Sequence, residues 1–243
     1  MSQRHNTVIC KAPVVDAKRS MRLAAALLAA LCVAAAPAQT IVGVEALALP
    51  AVRSDATHGL KLTVYRFRDS RWSSDAIAPA VAQAAGLLAQ CGIALTLAEL
   101  REIDAPRRLH FYVTPRAREL LAALDVPRPA IFFVEDTLMR PAFDAEAIGR
   151  GNSRTRPQLT DTVWIAHGTR DLGQVIAHEL VHVLADSGAH SDLPGNLMRD
   201  TTHPEHVQLT REQCDSMRMT ATANGLISPL APGVLKPQPR STP

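Results

Sequence analysis

Residues 172–184 constrain the fold most strongly, because apolar side chains recur there at helical spacing and polar ones interrupt them on one side. Asp171, followed three residues later by Gln174, predicts a capping-box start for this helix. Four residues advance a helix by about 400°, so the imidazoles of His178 and His182 leave nearly the same face, one turn apart. The sequence therefore predicts a buried helix whose two histidines can reach one metal ion.

Glu179 lies beside the first of these histidines and completes an H-E-x-x-H pattern, the zincin motif. A carboxylate at this position can reach a water bound to the metal without being a ligand itself. The alternative is a pair of surface histidines with a glutamate between them on a helix flank. The motif favours a zinc site with Glu179 as the general base.

A catalytic zinc normally has three protein ligands and one open position, so a third ligand must lie outside the helix. Gly188 could turn the chain under the metal, and His190 would then supply the third imidazole. Asp192 is the next candidate for this ligand. Asp186 is closer to the helix end and is expected to cap or end it, and either aspartate could accept a hydrogen bond from a ligating imidazole.

These residues resemble the metzincin clan of zinc peptidases, which carry H-E-x-x-H-x-x-G-x-x-H followed by a methionine turn. His190 lies eight residues after His182 instead of six, so the resemblance implies a loop two residues longer, with Gly188 in the role of the family glycine. Asn196-Leu197-Met198 fits the methionine turn, although Met198 could also be an ordinary core residue. No tyrosine follows it. The resemblance covers about residues 178–198.

The resemblance also implies a fold and a mode of substrate binding. The fold is α+β and zincin-like, with a mixed, mostly parallel twisted sheet, a backing helix, an active-site helix and a C-terminal helix. An extended substrate would lie against the edge strand, for which Thr162–Ala166 is the candidate. The hydrophobic patterning agrees with this order of elements. It predicts strands at 62–67, 93–97, 109–113, 130–134 and 162–166, and helices at 74–90, 115–124, 171–184 and 210–224.

The N-terminal residues have the pattern of a secretory signal. A short basic segment at 18–22 precedes an apolar run at 23–36, and Ala36-Pro37-Ala38 supplies a small-x-small cleavage site. A membrane anchor is the alternative, but the run is shorter than the roughly 20 apolar residues that a span requires. We therefore expect residues 1–38 to be a signal peptide with an upstream extension, and the protein to be exported to the periplasm or the extracellular space.

The rest of the chain divides into three parts: an N-terminal arm or short prosegment at 39–59, a catalytic domain at 60–227 and a flexible, proline-rich tail at 228–243. Five basic residues and one acidic residue fall within 1–38. The chain's 26 basic and 23 acidic residues thus become 21 and 22 in the mature part. This balance does not favour a nucleic-acid partner, which needs clustered Lys and Arg.

Cysteine usage also agrees with export, because only Cys91 and Cys214 remain after residue 38. An even pair in an oxidising compartment predicts one disulfide, and two buried thiols are the alternative.

Together these patterns predict an exported peptidase with one zinc ion per chain, a peptide or protein substrate and no stable membrane association. A non-peptidase zinc amide hydrolase would use the same residues. A non-catalytic module with a structural metal is the third hypothesis. Such a site usually has four protein ligands and no open position, and it needs no base.

Overall fold

The structure is a computed structural model and describes residues 39–137, 147–151, 156–201 and 203–231. Within these residues the strands are β1 Thr40–Ala46, β2 His58–Phe67, β3 Ile93–Asp104, β4 Ala130–Val134, β5 Ala147–Arg150, β6 Thr162–Ala166 and β7 Ile227–Pro229. The α-helices are α1 Ser74–Leu88, α2 Thr114–Ala123, α3 Leu172–Ala185 and α4 Arg211–Ala223. Short 3₁₀ helices span Ala89–Cys91, Arg107–His110 and Pro157–Leu159.

The strands form one mixed sheet in the order β1-β3-β2-β4-β6-β5, and β7 pairs with the start of β2. The central pairs β3–β2, β2–β4 and β4–β6 are parallel. The outer strands β1 and β5 and the short β7 pair antiparallel with their neighbours. The predicted class is confirmed: the fold is α+β with a mostly parallel sheet, and helices follow the central strands.

Both faces of the sheet are covered, which explains the continuous apolar run in β4. Ile131 and Phe133 point to one core, where α1, α3 and α4 pack, and Phe132 points to the opposite core beneath α2. Tyr65 and Trp164 stack on the two sides of Phe132, with ring centroids 4.6 and 4.3 Å away. A strand buried on both faces has no polar side to alternate with.

The helix α3 begins differently from the prediction. Asp171 has a left-handed backbone (φ 49°) and makes no side-chain capping bond, so the capping box predicted with Gln174 is wrong. An N-cap side chain reaches the first turn from an extended backbone, which Asp171 does not adopt. The Gln174 side chain instead donates to the Pro204 carbonyl oxygen at 3.4 Å. At the start of α4, by contrast, Thr210 and Gln213 form a capping box in which both side chains bond to the backbone.

Two strand predictions are also corrected. The segment 109–113 is not a strand: residues 107–110 form a 3₁₀ helix, and only Phe111 makes a bridge, to Asp136. Among the described residues, pairing with this segment is limited to residues 135 and 136, just after the end of β4 at Val134, so no strand forms here. The second correction concerns β6, which was expected at the sheet edge. It lies between β4 and β5, so the edge strand on this side is β5.

The N-terminal arm and the first residues of the tail contribute to the sheet. β1 extends it beyond β3, and Ser228 and Pro229 belong to β7. The expected signal peptide at 1–38 and the tail from residue 232 lie outside the described residues. In the part of the chain that the structure describes, no helix has the length and apolar character needed to cross a membrane.

A disulfide joins Cys91 to Cys214, as predicted. It connects the 3₁₀ turn after α1 to the second turn of α4, and both sulfurs belong to the core that packs against α3. The Arg218 guanidinium donates to the Cys91 carbonyl oxygen and strengthens the same junction.

Candidate metal centre

The imidazoles of His178, His182 and His190 converge on one point. Their Nε2 atoms lie 3.0 Å apart for His178 and His182 and 3.3 Å apart for His182 and His190. Nitrogen ligands about 2.0–2.1 Å from a tetrahedral ion lie about 3.3–3.4 Å from one another. The three side chains therefore form a group that can hold a metal ion.

The other ring nitrogen of each histidine, Nδ1, has a hydrogen-bond partner. His178 Nδ1 donates to the Leu197 carbonyl oxygen at 2.8 Å, and His182 Nδ1 donates to the Ser187 carbonyl oxygen at 2.6 Å. His190 Nδ1 lies 2.9 Å from Asp200 Oδ1. A hydrogen on each Nδ1 leaves the Nε2 lone pair directed at the common point, as a metal ligand requires.

These partners differ from the expected ones. Asp186 and Asp192 were the candidate acceptors, but the two helical histidines use backbone carbonyls, and Asp200 is the carboxylate at the third. The third member of the group that could hold a metal is His190, and Asp192 does not belong to it. The carbonyl oxygen of Asp192 accepts a hydrogen bond from the Arg199 guanidinium at 2.8 Å.

The surroundings keep the helical imidazoles neutral. Burial lowers the pKa of His178 to about 4, and the neighbouring His182 and His190 act in the same direction, whereas the Leu197 carbonyl opposes them. Burial also lowers the pKa of His182. Neutral imidazole is the form that binds a metal, so these rings need not lose protons to it near pH 7.

The chain reaches His190 through a tight turn at the end of α3. Asp186 adopts the left-handed conformation (φ 48°), and its N–H and that of Ser187 donate to carbonyls of the last helical turn. Gly188 was expected to make this turn, but it has no positive φ. Asparagine and aspartate visit the left-handed region more readily than most residues, so Asp186 can make the turn without a glycine.

Met198 lines the same cavity as His182 and His190 and is only 2 % exposed. Its N–H donates to Asn196 Oδ1 at 2.9 Å, and Asn196 Nδ2 donates to Gln213 Oε1 at 3.0 Å. Gln213 is the capping-box residue of α4, so the start of that helix fixes the turn whose Leu197 carbonyl orients His178. The sequence pattern pointed to the turn, but not to Asn196 and Gln213 as its supports.

Glu179 is buried on α3 next to His178. Its role as a base remains a prediction. His203 and His206 lie in the loop before α4, with ring centroids 5.4 Å apart, and neither belongs to the group of three.

Comparisons with known proteins add little to this description. No protein-family model matches the sequence, and no curated protein does. Among solved structures, the fold is similar to metalloproteinase-II from Bacteroides fragilis, with a TM-score of 0.49 and 16 % sequence identity. The match covers 72 % of this chain and 57 % of that one, so the chain spans less than two thirds of its neighbour. At this level of similarity, the neighbour's activity is not transferred.

Fold and site together define an α+β protein with a candidate three-histidine metal centre, formed by two histidines of a buried helix and one from the loop that follows it. The chemistry of that centre follows from its own residues.

Proposed function

We propose that this protein is an exported zinc-dependent peptidase that cleaves peptide bonds at the His178, His182 and His190 centre. The observation that carries the proposal is the convergence of three Nε2 atoms whose partner nitrogens are all hydrogen-bonded. Such an arrangement holds each ring in the orientation and tautomer that a metal ligand needs. The disulfide between Cys91 and Cys214 supports export, because disulfides persist in oxidising compartments.

The donor set fits zinc in particular. Imidazole nitrogen is a preferred zinc ligand, and three histidines with an open fourth position are typical of a catalytic site rather than a structural one. Among the described residues, the group contains no fourth His, Cys, Asp or Glu. When bound, zinc supplies Lewis-acid chemistry: it polarises a carbonyl and makes water nucleophilic near neutral pH.

Glu179 is the residue proposed to move the proton. It directly follows the first proposed ligand on the same buried helix, and it is the one carboxylate that α3 carries. In the proposed reaction, Glu179 takes a proton from the attacking water and gives it to the leaving amine as the peptide bond breaks.

The edge strand β5 is the proposed platform for the substrate. Among the described residues, β5 pairs only with β6, and it contacts α3. Just after β5, Gly151 approaches the end of α3 so closely that an added Cβ would lie 2.5 Å from Asp186 Oδ1. This close packing places β5 alongside the helix that carries the ligands. An extended peptide could therefore add to the sheet through its backbone and lie along the centre.

The decisive variant is Glu179→Gln, tested for zinc content and for turnover of a peptide library. We expect zinc to remain bound and turnover to fall by about 10²–10⁴-fold, the usual contribution of general acid–base catalysis. Glu45→Gln, an exposed substitution on β1, is the matched control and should retain full activity. Full turnover by Glu179→Gln would remove Glu179 as the base.

The wild-type results separate the alternatives. Zinc without turnover of any peptide or other amide would indicate a structural metal. Hydrolysis restricted to non-peptide amides would indicate a different zinc hydrolase.

A further inference from the structure

The third histidine is held differently from the other two. His178 and His182 lie on a helix, and each donates to a backbone carbonyl that a side-chain substitution does not remove. His190 lies in an exposed loop, its side chain is 39 % exposed, and its Nδ1 partner is the side chain of Asp200. Packing therefore constrains this ligand least.

Two hydrogen bonds join the His190 loop to the chain that follows Met198. Ser191 N–H donates to the Met198 carbonyl at 2.7 Å. One residue further along each segment, Arg199 donates to the Asp192 carbonyl at 2.8 Å. These two contacts, the second made by the Arg199 guanidinium, hold together the two segments that carry His190 and Asp200.

We propose that Asp200 is a positioning residue that holds His190 in its ligating orientation and thereby sets the affinity of the centre for zinc. The inference rests on the proposed function, since it takes the three histidines as zinc ligands. An imidazole side chain has rotatable χ1 and χ2 angles, and in an exposed loop it loses that freedom when it binds a metal. A hydrogen bond that already holds the ligating rotamer before the metal binds reduces this loss of side-chain entropy.

The carboxylate acts in a second way. Hydrogen bonding from Nδ1 to an acceptor fixes the hydrogen on that nitrogen and makes Nε2 a stronger donor to the metal. Asp200 is 79 % exposed, so its bare charge is screened by salt and contributes little at a distance. Its effect on zinc binding should therefore depend mainly on the direct contact.

The test compares zinc dissociation constants of the full chain, measured by competition with a chromophoric chelator. We expect Asp200→Ala to weaken zinc binding by about 10–100-fold, the usual effect of removing such a partner. Asp200→Asn keeps an acceptor oxygen without the charge, so its zinc affinity should fall less than that of Asp200→Ala. Asp192→Ala is the matched control. It removes one negative charge from the loop that carries His190 but keeps the backbone carbonyl that binds Arg199, so its zinc affinity should equal that of the wild type.

A second measurement separates positioning from a change in folding or charge. With cobalt in place of zinc, Asp200→Ala should shift the visible absorption bands, whereas Asp192→Ala should not, and the affinity gap between the two variants should persist at high salt.

Wild-type affinity in Asp200→Ala, or an equal loss in Asp192→Ala, would overturn the inference while leaving the proposed function intact. Failure of the wild-type chain to bind zinc would instead overturn both.

Discussion

The bond between Cys91 and Cys214 is expected to be a major source of stability. It links residues separated by 123 positions, so in the unfolded chain it closes a long loop. Chain-entropy arithmetic for a loop of this length gives a stabilisation of about 5 kcal/mol, and measured values for native disulfides are about 2–5 kcal/mol. We therefore predict that reduction lowers the free energy of unfolding by about 3–5 kcal/mol.

Urea unfolding of the oxidised and reduced chains tests this value directly. Reduction breaks only the S–S bond and keeps both sulfur atoms. It therefore avoids the cavity that substitution to alanine would create in this core. A chelator should be present in both samples, because a metal that binds only the folded state would add its own stabilisation.

With a urea m value of about 2 kcal/mol/M, the predicted loss lowers the midpoint by about 2 M. Cys91→Ala/Cys214→Ala serves as the second variant and should be at least as unstable as the reduced chain. A midpoint that moves by less than about 0.5 M would refute the loop-closure reasoning.

Two further predictions concern pH and processing. Burial raises the pKa of Asp161 to about 6, the charge of Asp186 adds to this and Arg128 opposes it. Because the folded pKa lies above the unfolded one, the wild type loses stability as pH rises from about 4 through about 6. The variant Asp161→Asn tolerates the positive φ and removes the buried charge. It should raise the unfolding free energy at pH 8 by about 1–2 kcal/mol after allowance for solvent screening, and this gain should vanish below about pH 4. An equal gain at both pH values would contradict this reasoning. Mass spectrometry of the exported protein should show an N-terminus at Gln39, and an intact apolar run at 23–36 would refute signal cleavage.

Much of the fold could be predicted from local patterns. The runs at 130–134 and 162–166 are buried strands, and the capped segment from Thr210 is a helix, because periodicity and capping act within a few residues. The segment 109–113 has a similar apolar composition, but in the described residues its pairing is limited to one bridge, between Phe111 and Asp136. Strand formation depends on how far a neighbouring segment pairs, which no local pattern reports.

The same division applies to sheet position. The residues of β6 indicate a strand, but whether it lies at an edge depends on β5, a four-residue strand with a weak pattern of its own. A short antiparallel partner, formed by the segment that precedes β6 in the chain, decides which strand lies at this edge of the sheet.

The sequence by itself determined the pair His178 and His182, because the helical period fixes their separation and direction once α3 forms. Only the tertiary structure decided how the imidazoles are held. The chain turns at Asp186 before it reaches His190, the Leu197 carbonyl accepts from His178, and the Asp200 carboxylate contacts His190. Helical geometry is local and can be read from spacing, whereas a loop's hydrogen-bond partners depend on where the rest of the chain packs.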